Sequence, residues 1–437
     1  MKSMIILSIG ICLAGGRAAA QQRSDTLGSL QEVLSLAVKH NPTQAVYLQQ
    51  IRQARYNYKS TKGAFYPNAS AAFSGTDNLH LATTPVPGEL VGAPGTTYYA
   101  QFGKKYVYNA GVTLTQNIFD WQSVLTTKIA AGNALLTESQ QAYYVQSLKE
   151  QVARTYFSIL IANASLSIIA ADQLAGDSLV LLARQRLQEG TTDRLSVNLA
   201  LINANNVEQN KAQSQQLYDQ GLENLKILLG VNPTKELVFS EAIRPDSLAG
   251  DGFNQIGADK NLEVYREQVA IADLQRQSQR SVAYPSLSAS AYIGVQQFRN
   301  DFGLSFDNNA WSGYRYIGLN VNIPLFTGFT NTYKYKSAVT QKEIAQLQYD
   351  NAAKQSEIND RLLFKNQADY ENMVRASAQN FSLYAANLQL NKQKYGEGVI
   401  TMDIYQKAFQ DYLTAENNYL TTLSQLFSVR ATILSRQ

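Results

Sequence analysis

Few residues in this 437-residue chain are of the kinds that do covalent or metal chemistry. Its two histidines, His40 and His80, stand too far apart to suggest a zinc site. The single cysteine, Cys12, falls in an apolar stretch at the start, so the remainder can form no disulfide. There is no HExxH, no nucleophile elbow and no phosphate-cradling glycine loop. Gly396-Glu397-Gly398 is not a nucleotide motif, because no strand precedes it and the pattern does not continue. The expectation is therefore no catalytic residue, no metal and no cofactor. The remaining chemistry is that of charge: Asp369 and Glu371 lie close together, and Arg375 stands four residues after Glu371, at a spacing that allows a pair on one helix face. With 38 basic and 34 acidic residues the net charge is only +4, which is no nucleic-acid footprint.

The elements that must position such groups are legible from patterning. Residues 1–20 read as an export leader, with Lys2 as basic start, an apolar run over 4–14 and the small residues Ala18-Ala19-Ala20 as cleavage site. Cys12 would leave with it, and Ile11 before it argues against lipidation. Ser29-Leu30-Gln31-Glu32 is a capping box that opens a short helix. Asn41-Pro42 closes it and starts the next, with asparagine as cap and proline in the first turn.

After Pro67 the period changes to two. Ala69, Ala71 and Phe73 alternate with small residues, and a return strand sets Ala110, Val112 and Leu114 against Asn109, Gly111 and Thr113. A second pair sets Leu287, Ala289, Ala291 and Ile293 against serines, then Ile317, Leu319 and Val321 against Gly318, Asn320 and Asn322. Aromatic residues gather at the strand ends, with Tyr98, Tyr99, Tyr106, Trp311, Tyr314 and Tyr316 on one side and Phe119, Trp121, Phe326 and Phe329 on the other. They suggest interfacial girdles. No stretch after residue 20 has 18 consecutive apolar residues, so a membrane crossing would have to use strands.

Each strand pair leads into a helical pattern of unusual length, and the order of elements occurs twice. The expected organisation is 1–20 leader, 21–258 first repeat with linker and 259–437 second repeat. Turns are expected near Asn163-Ala164-Ser165-Leu166 and Asp369-Tyr370-Glu371-Asn372, with Gly190 and Gly398 as midway helix breaks. Sparse, often alanine seams suit coiled-coil-like packing. Four strands cannot close a barrel, and an open sheet in lipid leaves edge groups unsatisfied. Copies of the chain must therefore share one. Two give eight strands and three give 12, and the small polar faces suit the wider, wetter lumen.

This order of elements resembles the TolC-like outer-membrane efflux protein family across nearly the whole chain after the leader. The residues carrying it are Leu30-Gln31-Glu32-Val33-Leu34, Asn41-Pro42, Asn117-Ile118-Phe119-Asp120, Arg186-Leu187-Gln188-Glu189-Gly190, Pro285-Ser286-Leu287, Pro324-Leu325-Phe326 and Lys394-Tyr395-Gly396-Glu397-Gly398. The resemblance implies a mixed α and β membrane protein in the outer membrane. Four β-strands per chain would form a 12-strand trimeric β-barrel, continued by a long periplasmic α-helical barrel. It implies a homotrimer among outer-membrane lipids that meets a periplasmic adaptor protein and an inner-membrane transporter, and a passive exit duct for small toxic molecules. It also implies a gate at the periplasmic tip, for which Asn163, Ala164, Ser165, Asp369, Glu371 and Arg375 are the candidates, with Gly190 and Gly398 as helix breaks. A protein-secretion duct of the type I kind and a soluble periplasmic coiled-coil scaffold are the alternatives.

Overall fold

The computed structural model describes residues 25–27, 29–239 and 255–437. The expected leader, Cys12 and most of the linker between the halves lie outside them. The elements are β1 (Asp25–Leu27), α1 (Leu30–His40), α2 (Pro42–Thr61), β2 (Asn68–Asp77), β3 (Thr83–Pro87), β4 (Thr97–Gln101), β5 (Tyr106–Phe119), α3 (Trp121–Gln188) and α4 (Arg194–Leu229). There follow β6 (Leu237–Phe239), α5 (Lys260–Ser281), β7 (Ser286–Arg299), β8 (Trp311–Asn322), α6 (Thr330–Gly396) and α7 (Met402–Ser435). The chain forms two compact units, and neither corresponds to one half of the sequence. One comprises 45–144 with 258–359, and the other 1–44, 145–257 and 360–437.

The first unit carries an antiparallel sheet in the order β2-β5-β7-β8. Register makes the faces of both strand pairs continuous: Ala71 opposes Val112, which opposes Ile293, while Ala291 opposes Ile317. On the reverse, Ser70, Thr113, Tyr292 and Tyr316 form a row, and Thr115, Ser290 and Gly318 another. A one-residue slip would exchange these faces, so the alternation pins the register. Ile293 is 62% and Ile317 87% exposed, so among the described residues nothing covers the apolar face there. A patch of this kind needs lipid or a partner. Arg315 opposes Ile293 and thus stands on the apolar face in mid-strand.

The expected loop-side aromatic girdle is only partly realised. Tyr106 and Trp311 share the face of Ile317, and the Trp311 indole donates to the Ser305 carbonyl at 2.8 Å. Strand parity places Tyr314 and Tyr316 on the opposite, polar face, where they form a cluster with Tyr292 at 5.6–5.8 Å between rings. Tyr292 lies flat over Gly111 and Gly294, and a Cβ on either glycine would collide with its hydroxyl. Tyr98 and Tyr99 belong to the separate β3–β4 hairpin.

The helices of this unit are held by close, specific contacts. Tyr47 on α2 stacks on Tyr144 of α3 at 4.9 Å, and Arg55 pairs with Glu138 at 2.8 Å. Asp273 on α5 meets Arg276 at 3.1 Å and Lys342 of α6 at 3.0 Å.

In the second unit the core is formed by α3, α4, α6 and α7, with Leu179, Ala183, Val197, Leu388, Tyr405 and Phe409 buried together. Phe157 on α3 stacks on Phe427 of α7 at 4.4 Å. A Cβ on Gly221 of α4 would approach Ile159 of α3 to 2.7 Å, so glycine permits the close helix approach there. One stretch of α3 is apolar enough by composition to cross a bilayer. Within α3, Tyr156, Ile159, Leu160 and Ile169 are buried in helix packing.

Candidate functional site at the hairpin turns

The turns do not lie where spacing placed them. Trp121–Gln188 is one helix of 68 residues and Thr330–Gly396 one of 67, so Asn163, Ala164, Ser165, Asp369, Glu371 and Arg375 are all within helices. No residue at 163–166 or 369–372 requires the chain to leave the helix, and hydrogen bonding continues through both stretches. Ser165 is buried, its hydroxyl 3.0 Å from that of Ser214 on α4. Asn163 and Asp369 are exposed. The expected Glu371–Arg375 pair does not form. Glu371 instead accepts from Arg430 of α7 at 3.0 Å and from Gln367 at 3.2 Å, while Arg375 donates to Asn372 at 2.6 Å. A buried guanidinium gains more from a carboxylate than does an exposed one, which water already satisfies.

The chain reverses at Gly190 and Gly398, which end the long helices rather than interrupt them midway. Their φ values are 70° and 77°, in the left-handed region that glycine enters without Cβ strain. Both turns are built identically. Thr191 N–H donates to the Arg186 carbonyl at 2.9 Å and Gly190 N–H to that of Leu187 at 3.2 Å. Val399 N–H donates to the Lys394 carbonyl at 2.9 Å and Gly398 N–H to that of Tyr395 at 3.1 Å. This is the Schellman closure, which satisfies carbonyls that a helix end leaves bare. Asp193 then caps α4 by accepting from Ser196 N–H at 2.9 Å. That backbone bond, joined by the Ser196 hydroxyl, lowers the Asp193 carboxyl from its ordinary value.

One residue ties the two turns together. Arg186, a turn before Gly190, donates from Nη2 to the Gly396 carbonyl at 2.9 Å and lays its guanidinium 4.5 Å from the centre of the Tyr395 ring. Tyr395 is 3% exposed and packs against Tyr405 at 5.8 Å. A charge-assisted hydrogen bond and a cation–π contact are thus made by a single side chain. Sequence reading quoted Arg186 and Tyr395 only as parts of the two Glu-Gly stretches. The available signal was the shared turn chemistry, with a basic residue four positions before each glycine, at Arg186 and Lys394. Among the described residues no group of three or more His, Cys, Asp or Glu is arranged to hold a metal ion.

A membrane-ready sheet joined to long helical hairpins defines a class of outer-membrane channel-type proteins. A family model described as outer membrane efflux protein matches the chain twice, over residues 33–231 and 256–434, and the chain belongs to that family. Its place is the outer membrane, reaching into the periplasm. The outer membrane protein TolC of Vibrio cholerae is 23% identical over 282 residues, covering 62% of this chain and 61% of that protein, so the alignment spans about three fifths of that relative's length. Among solved structures, CusC matches with a TM-score of 0.75 at 17% identity, over 93% of this chain and 90% of its own. The Campylobacter jejuni CmeC outer membrane channel matches with 0.75 at 15%, over 100% and 93%. The open state of the Neisseria gonorrhoeae MtrE channel matches with 0.71 at 14%, over 93% and 88%. These likenesses establish the fold.

Proposed function

We propose that this chain is the exit duct of a tripartite efflux system for small toxic molecules, working as a homotrimer. In this reading three copies pair β2 of one chain with β8 of the next to close a 12-strand barrel, and the long hairpins form a helical barrel in the periplasm. The observation that carries it is the open, two-faced sheet. In the described residues β2 and β8 each have only one neighbour. Lipid supplies no donors or acceptors for such edges, so only closure satisfies them. Beside the Tyr292, Tyr314 and Tyr316 cluster, the polar face is serine, glycine, asparagine and threonine, which suits a wet lumen. Membership of an efflux family, and the description of CusC as forming a transmembrane channel, agree with this reading.

The two repeated halves each supply one strand pair and one hairpin to this duct. The gate is assigned to the turns at Gly190 and Gly398, closed by the Arg186 link to Tyr395 and Gly396, where an adaptor protein coupled to an inner-membrane transporter would dock. Asp369 would add three carboxylates along α6, while Glu371 is committed to Arg430. Deleting the gene in its host and measuring growth across a panel of antibiotics, dyes and detergents tests the substrate class. Several-fold sensitisation that the wild-type gene reverses is expected. Unchanged tolerance together with loss of a secreted protein from the medium would replace it with a protein-secretion duct.

A further inference from the structure

Away from the turns, the helical unit holds a pair of buried acids that the duct reading does not use. Asp172 on α3 and Glu416 on α7 are each 5% exposed, and their carboxyls face one another across the seam between these helices. Asp172 Oδ1 accepts from the Tyr412 hydroxyl at 2.9 Å. With both acids ionised, Asp172 Oδ2 meets no donor. Tyr405 and Tyr412 of α7 flank the pair, and Phe381 of α6 lies 5.4 Å from Tyr412. Among the described residues no lysine or arginine acts on either carboxyl. Burial holds the Tyr405 phenol up at about 12 and Tyr412 higher still, so both stay neutral.

Two buried carboxylates without a cation repel strongly, and an orphaned acceptor between them adds to the cost. One proton removes both penalties, because a protonated Glu416 donates to Asp172 Oδ2. We propose that Asp172 and Glu416 are a proton-binding latch: a single shared proton ties α3 to α7 at neutral pH, and its loss in alkaline conditions loosens that seam.

Burial first, then the charge of Asp172, pushes Glu416 up to about 8, and burial raises Asp172 as well. Because the folded value lies above the ordinary 4.5, the stabilisation is complete below about 4.5, declines as pH rises and is lost through about 8. The two acids stand at matching positions on their hairpins, each 18 residues from its turn glycine (190 − 172 and 416 − 398). The seam they lock therefore leads toward both turns. This inference concerns the helical unit alone and holds whether or not the chain conducts.

Hydrogen exchange of the detergent-purified full chain tests it, read on peptides spanning 165–180 and 405–420 and corrected for chemical exchange. In the wild type, opening of these peptides should rise by up to about tenfold per pH unit between about pH 4.5 and 8 and level off above about 8. In Glu416→Gln, whose amide donates at every pH, the profile should be flat. An equal slope in that variant, or a flat wild type, overturns the latch. Infrared titration of the unmutated protein gives a second reading that survives a misfolded variant. A protonated-carboxyl band present at neutral pH and lost in alkali is expected, and its absence at neutral pH contradicts the proposal.

Discussion

Arg186 makes two contacts that no other residue at the turns can replace. Its hydrogen bond to Gly396 uses a backbone carbonyl, so mutation of Gly396 would not remove the acceptor, whereas Arg186→Ala removes both bond and ring contact. Together these are worth about 2–4 kcal/mol, since charge-assisted bonds contribute about 1.5–3 and exposed cation–π contacts about 0.5–1. Arg186→Ala is therefore expected to raise channel conductance and sensitivity to bulky antibiotics; Arg186→Lys should restore charge but not the planar contact, giving an intermediate value. The turn glycines act through backbone alone. Nothing lies within 4 Å of a Cβ on Gly190 or Gly398, so Gly398→Ala should cost about 1–2 kcal/mol from left-handed strain without any clash. Thermal unfolding in detergent reads this as a lowered midpoint with the far-ultraviolet helix signal retained.

Elements are joined by ion pairs whose pH response differs in sign from that of the buried acids. Burial acts to raise Asp273, but bonds from Lys342, Gln277 and Arg276 outweigh it and hold the carboxyl at about 2. Its contribution is thus present above the ordinary value of 3.8 and is lost as pH falls through about 2. Asp273→Asn should be less stable than wild type at neutral pH by about 1–2 kcal/mol, allowing for screening at a partly exposed site. That gap should close on acidification from about pH 4 to 2, as followed by the unfolding midpoint.

How far these elements were legible varies with the range of the interaction that defines them. Ser29 and Asn41 act locally and were readable: Ser29 Oγ accepts from Glu32 N–H at 3.4 Å, and Asn41 Oδ1 from Gln44 N–H at 3.0 Å. Strand faces were readable because alternation has a fixed period. Hairpin positions were not, because uninterrupted helical patterns on both sides of Asn163 and Asp369 carry no turn signal, and the turns are at Gly190 and Gly398 themselves. The pairing of Glu371 with Arg430 joins residues 59 apart in sequence, and that of Tyr412 with Asp172 joins residues 240 apart. No local pattern encodes either.

At the scale of the whole molecule, the described residues of a single chain leave an apolar sheet face uncovered and two sheet edges unpaired, while the hairpins carry a capped pair of turns. The proposed assembly into a closed barrel with a gated helical end would account for all three. Recording single-channel currents from the detergent-extracted oligomer in a planar bilayer tests this claim most directly. The account predicts a trimer-sized species that inserts and conducts in small discrete steps, with larger steps for Arg186→Ala. A protein that leaves the membrane fraction without detergent and gives no current would contradict it.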